Sequence, residues 1–152
     1  MQKKIFNRSQ IKAASIDLDG TILEKGLVHP RDREAIEKLS ASGVETIIST
    51  GRHPFTLPKA VTDIQSFHRV IGSNGAIIAD IREKRIDHFD GITIEMMKEF
   101  IDHLYTFTDT FHFTLMDGTG FMTRPGFDEL ISWEETEAAK QRAAAEFTYM
   151  YH

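Results

Sequence analysis

At 152 residues, with 41% hydrophobic and 27% charged side chains, the chain is about one ordinary domain long and excludes a disordered polymer. A net charge of −5 without a long basic run argues against a nucleic-acid partner, and the lack of cysteine excludes disulfides, thiolate zinc sites and cysteine nucleophiles. No window has the length of a membrane span, and the positive start Met1 to Arg8 has no apolar run behind it, so the expectation is a cytoplasmic protein with no membrane partner.

The first strand is predicted over Lys12 to Asp17 and reads as buried, with Gly20-Thr21 opening a loop that runs through Glu24-Lys25-Gly26. Pro30 then starts a helix whose Ala35, Ile36 and Leu39 share a face, and Gly43 is placed to end it. Val44 to Ile48 is a β-branched run and a second strand. A connection of that length serves only parallel strands, so Ser49-Thr50-Gly51-Arg52 should emerge at the same sheet edge as Asp17 and Asp19. A second helix, about Phe55 to Ile64, is interrupted or delayed by Pro58. Val70-Ile71 forms a third strand that ends in Gly72-Ser73-Asn74-Gly75, again on the edge where open α/β sheets bind ligands.

After Ala76 the texture becomes α+β. A hairpin is expected between Ile77-Ile78-Ala79 and Arg85 to Phe89, then a helix capped by Thr93 with Ile94, Met97, Ile101 and Leu104 in register. Phe111 to Leu115 and Phe121 to Thr123 read as a second hairpin, and Glu134 to Phe147 as a charged, alanine-rich helix. The domain boundary is expected near Ala79, giving residues 1–79 and 80–152, with no internal repeat or low-complexity linker.

Asp17 and Asp19 carry the chemistry. Strand alternation sends both to one side and Leu18 to the other, where two carboxylates can hold a hard cation such as magnesium through oxygen ligands. One acid can then attack phosphorus while the second serves as general acid and base. Read as structure alone, Asp19-Gly20 is only a turn signal. A calcium loop is excluded because its sixth and twelfth positions hold Ile22 and Val28. Thr50 offers a hydroxyl and Gly51 an unobstructed amide, together a cradle for phosphate oxygens. Arg52 can fork onto phosphate or pair with a carboxylate, and the sequence does not choose between these; Asn74-Gly75 is either a turn or a substrate contact. The seven histidines are scattered at surface or half-buried positions, with His53 alone near the site, and no Walker loop, dinucleotide fingerprint or nucleophile elbow is present.

Asp17-Leu18-Asp19-Gly20-Thr21-Ile22-Leu23, Ile48 to Arg52 and Ser73-Asn74-Gly75-Ala76, in that order, resemble the haloacid dehalogenase superfamily, and more narrowly its Cof-type sugar-phosphate phosphatases with an inserted α/β cap. The resemblance implies an α/β fold: a Rossmann-like parallel-sheet core, here incomplete, and an α+β cap. It implies Asp17 as nucleophile and Mg2+ ligand, and Asp19 as general acid/base that reaches the metal through its main-chain carbonyl. The Leu18 amide, Thr50 and Gly51 would bind the phosphate of a small phosphorylated metabolite, with Arg52, Asn74 and Gly75 as candidate substrate contacts. The family's later lysine and acidic Gly-Asp motif are not found after Gly126; Lys140 lies in the charged segment, and Asp128-Glu129 follows the Pro125-Gly126 turn. The expectation is therefore a C-terminally truncated form of a longer phosphatase, whose uncovered sheet edge invites self-association. A catalytically silent remnant that still binds phosphate or metal is the alternative, and a phosphomutase is another.

Overall fold

A computed structural model of the chain describes residues 11–133 together with 136–138, 140–141 and 147–149. In chain order, β1 (Ala13–Asp17) is followed by a small antiparallel hairpin, β2 (Leu23–Glu24) and β3 (Leu27–Val28), where the sequence suggested only a loop. Lys25 and Gly26 both take positive φ at its tip. Next comes α1 (Pro30–Ala41), which starts as expected: Pro30 needs no partner for an amide it lacks, Asp32 favours the helix dipole, and His29 Nδ1 accepts from the Arg31 amide. It ends at Ser42, and Gly43 leaves it at φ 85°.

β4 (Glu45–Ser49) then pairs in parallel with β1, placing Ser49 opposite Asp17. The predicted helix between Phe55 and Ile64 resolves into a tight 3-10 turn at Pro54–Thr56 and a single α turn, α2 (Lys59–Thr62), because Pro58 forces extended backbone between them. β5 (Arg69–Gly72) pairs in parallel with β4. Leu18, Leu23, Ile36, Ile48, Val61, Ile64, Phe67 and Val70 form one buried core, each side chain contributing about 1.5–3 kcal/mol by leaving water.

Two expectations are corrected here. β6 (Ile77–Asp80), which straddles the expected boundary, and β7 (Arg85–Phe89), assigned above to the second domain, continue the first sheet in the order β1-β4-β5-β6-β7. Both run antiparallel to their neighbours, so the sheet is mixed, with only its first three strands parallel. The reason is the tight return at Ser73–Gly75, which lays β6 along β5 from Gly72↔Ile77 to Arg69↔Asp80. The first compact unit accordingly ends at Asp90 and the second starts at Gly91, later than the boundary read near Ala79. Secondly, the strand read as buried is not: among the described residues β1 lies at the sheet edge, the uncovered edge expected above, with Ala13, Ser15 and Asp17 exposed and Ala14 and Ile16 half-buried.

In the second unit, Thr93 Oγ1 caps α3 (Ile94–Leu104) by accepting from the Met96 amide. β8 (His112–Thr114) and β9 (Gly120–Met122) form the expected hairpin, with Phe113 stacked on Phe121 at 5.4 Å. α4 (Arg124–Trp133) was not expected. β10 (Phe147–Tyr149) runs parallel to β9, so Phe147 belongs to a strand; most of the charged helix expected over Glu134 to Phe147 lies outside the described residues. Among the described residues no helix is long and apolar enough to cross a membrane.

Candidate active site

The chain must turn sharply after β1 because Leu18 is fully buried while both its neighbours are exposed. The Leu18 carbonyl closes that turn by accepting from three amides, those of Thr21, Ile22 and Leu23 at 3.1, 3.0 and 2.8 Å, with Gly20 at φ 75°. The pull of Leu18 into the core thus turns Asp17 and Asp19 outward at the carboxyl end of the sheet, as alternation predicts.

Their surroundings differ. Thr21 Oγ1 donates to Asp17 Oδ2 at 2.7 Å, and Asp17 Oδ1 is bonded to no described group. Asp19 is gripped by Arg52, whose Nε and Nη2 donate to Oδ2 and Oδ1, each at 2.8 Å. The Arg52 hydrogen bonds and charge hold the Asp19 carboxyl below its ordinary value of 3.8, against a smaller opposing effect of burial. The sequence reading had both carboxylates converging on one cation; here the side chain of Asp19 is paired with the Arg52 guanidinium instead.

Asp17, Ser49, Thr50, Gly51, Ile71, Asn74 and Gly75 line an open cleft of about 400 Å3. Thr50 is buried; its amide donates to the Ile71 carbonyl at 2.9 Å and its Oγ1 accepts from the Arg52 amide at 3.2 Å, so the hydroxyl both shapes the turn and faces the cleft. Gly51 is needed for space: a Cβ there would stand 3.1 Å from Asn74 Oδ1. Gly72 is needed more strictly, because a Cβ would lie 2.7 Å from the Pro54 ring. His53, expected at a surface or half-buried position, is buried instead, its Nδ1 accepting from the Phe55 amide at the start of the 3-10 turn. Thr21, Ser49 and Ile71 were missed; for Thr21 the signal was present, since a turn at Gly20 brings position i+4 back over Asp17.

Among the described residues no three acidic or histidine side chains gather around a common point. The donor that the cleft offers is the Asp17 carboxylate, an oxygen ligand. That donor fits magnesium, which keeps several waters and takes phosphate oxygens, and does not fit a metal needing a complete protein cage.

The sequence matches the profile of the haloacid dehalogenase-like hydrolases over residues 14–150. Phosphatase YwpJ of Bacillus subtilis (strain 168) is 27% identical over 149 residues, which are 91% of this chain and 51% of the relative. From the same organism, 5-amino-6-(5-phospho-D-ribitylamino)uracil phosphatase YcsE is 33% identical over 87 residues, 54% of this chain and 35% of the relative. Among solved structures, the phosphatase BT1666 of Bacteroides thetaiotaomicron superposes with a TM-score of 0.71 at 22% identity, covering 95% of this chain and 57% of its own, a likeness of fold. The chain spans about half the length of YwpJ and about a third of that of YcsE.

Proposed function

Because the chain belongs to the haloacid dehalogenase-like hydrolase family, we propose that it carries the nucleophile-bearing part of a magnesium-dependent phosphomonoesterase acting on a small phosphorylated metabolite, a sugar phosphate by preference. The observation that carries this reading is the cleft itself, where Asp17, Thr50 and Gly51 meet at the ends of adjacent parallel strands. Asp17 Oδ1 attacks phosphorus, the bond from phosphorus to the ester oxygen breaks, and the Asp19 carboxyl gives its proton to the departing alcohol. Water then attacks the aspartyl phosphate, Asp19 takes the proton, and phosphate leaves with Asp17 restored. The Leu18 amide, the Thr50 hydroxyl and the Gly51 amide hold the phosphoryl oxygens in place, with Arg52, Asn74 and Gly75 on the substrate side. The Asp17 carboxylate and, by the family resemblance, the Asp19 carbonyl would hold magnesium, which would supply charge neutralisation for the phosphoryl group.

Arg52 favours the ionised form of Asp19, so the ligand-free geometry is poised for the water-activating half of the cycle. Protonation for the first half requires that fork to open. Residues from Gly91 onward are the proposed cap that selects the leaving group, the cytoplasm is the proposed location, and the β1 edge the proposed surface for a second copy.

A generic aryl phosphate with magnesium tests the reading: phosphate release, lost in Asp17→Asn and on chelation with EDTA, is the expected result. Undiminished release from Asp17→Asn would sink the covalent mechanism. One observation favours a second reading, a chain that binds phosphate without turnover: among the described residues no lysine or arginine lines the cleft. Phosphate binding by the purified chain with no release from any ester would favour it.

A further inference from the structure

We propose that Asn74 is a ligand-contacting residue whose carboxamide hydrogen-bonds a phosphoryl oxygen in the cleft, and that Gly51 is glycine in order to seat it. This rests on the phosphate-binding reading above and adds a residue to it.

The backbone around Asn74 is costly. Ser73, Asn74 and Gly75 take φ of 49°, 55° and 101° in succession, and for the non-glycine residues the left-handed region costs roughly 1 kcal/mol or more each. The reversal from β5 to β6 accounts for positive φ there, but glycine would meet that need better than asparagine. The loop is tied down as well: the Ser73 amide donates to the Arg52 carbonyl at 2.9 Å and the Asn74 amide to the Thr50 carbonyl at 3.3 Å, which locks it to the strand-end segment bearing Thr50 and Gly51.

The side chain is then set in a particular place. Asn74 Oδ1 lies 3.1 Å from where a Gly51 Cβ would stand, so the carboxamide rests on the bare α-carbon of Gly51 and lines the cleft beside Asp17 and Thr50. It hydrogen-bonds no described group, although it has two donors and an acceptor to offer. A phosphoryl group beside the Asp17 carboxylate needs donors that do not themselves pair with that carboxylate. A neutral amide can donate to a phosphoryl oxygen without forming an ion pair with Asp17.

Inorganic phosphate with magnesium, titrated into the chain and followed by amide chemical shifts, tests the proposal. Asn74→Gly keeps the positive-φ backbone and deletes the carboxamide. Its phosphate affinity is expected to fall about tenfold, the scale of one hydrogen bond to a charged oxygen, with the melting temperature unchanged or raised. Asn74→Asp, which also tolerates this backbone but adds like charge, should bind more weakly still. Gly51→Ala should weaken binding similarly and add little in combination with Asn74→Gly, because both act on one contact. Wild-type affinity in Asn74→Gly would overturn the role of Asn74, and fully additive losses would overturn that of Gly51. Absence of phosphate binding by the wild-type chain would instead remove the reading on which the proposal stands.

Discussion

The pairing of Arg52 with Asp19 decides how the site responds to pH. Because the folded-state pKa of Asp19 is depressed, the pair stabilises the fold above the ordinary value of 3.8, and that contribution is lost as pH falls through the lowered folded value. Both side chains are roughly half exposed, at 40% and 52%, so solvent and salt hold the contribution to about 1 kcal/mol or less. Arg52→Gln should therefore raise the Asp19 pKa toward its ordinary value, read from carboxyl carbon shifts, and flatten the acid limb of stability in that window. An unchanged Asp19 titration would show that the fork does not persist in solution. Strand alternation and a buried Leu18 put both Asp17 and Asp19 on the exposed side, as the sequence suggests, but the two carboxylates take different partners. The sequence left Arg52 open, since a guanidinium fits carboxylate and phosphate equally well and only the register of two loops decides which is nearer.

Secondary-structure elements were legible where local chemistry acts alone. Pro30, His29 and Gly43 punctuate α1, and Thr93 caps α3. α4 was missed because Pro125-Gly126 resembles a turn, yet Thr123 supplies the signature of a helix start: its Oγ1 accepts from the Gly126 amide at 3.3 Å, and its carbonyl accepts from Phe127 at 2.9 Å. Thr123→Ala should destabilise the second unit by about 1 kcal/mol in urea denaturation, and Thr123→Ser should restore most of it. The hairpin β6-β7 depends on a longer-range device. The Arg82 guanidinium donates to the carbonyls of Phe67, Thr62 and Ile64 at 3.0, 2.7 and 2.5 Å, fastening the hairpin turn to the segment that leads into β5. Arg82→Met keeps the stem and orphans those carbonyls, so a loss of about 2–3 kcal/mol is expected, with Arg82→Lys recovering part through a single donor head. Equal stability of Arg82→Met and wild type would mean that water replaces the guanidinium without cost.

At the scale of the whole molecule, hydrophobic patterning gave the strand count of the first sheet but not its partition. A run such as Ile77-Ile78-Ala79 looks the same whether it opens a cap or extends a core, and only the antiparallel return over Ser73–Gly75 commits it to β5. The same sheet order leaves β1 with a neighbour on one side only among the described residues. The five residues of that strand thus present one row of main-chain donors and acceptors to whatever can pair with them, and Ser15 stands exposed at the middle of the row. A second copy of the chain is one such partner. Sedimentation over a wide concentration range should show the weight-average mass rising, and Ser15→Lys should hold it near the 17.3 kDa of one chain by placing like charges face to face across the paired edges. A mass that stays at one chain for wild type at every concentration would mean that this edge is protected without a partner strand, and the β1 surface would cease to be an interface between copies.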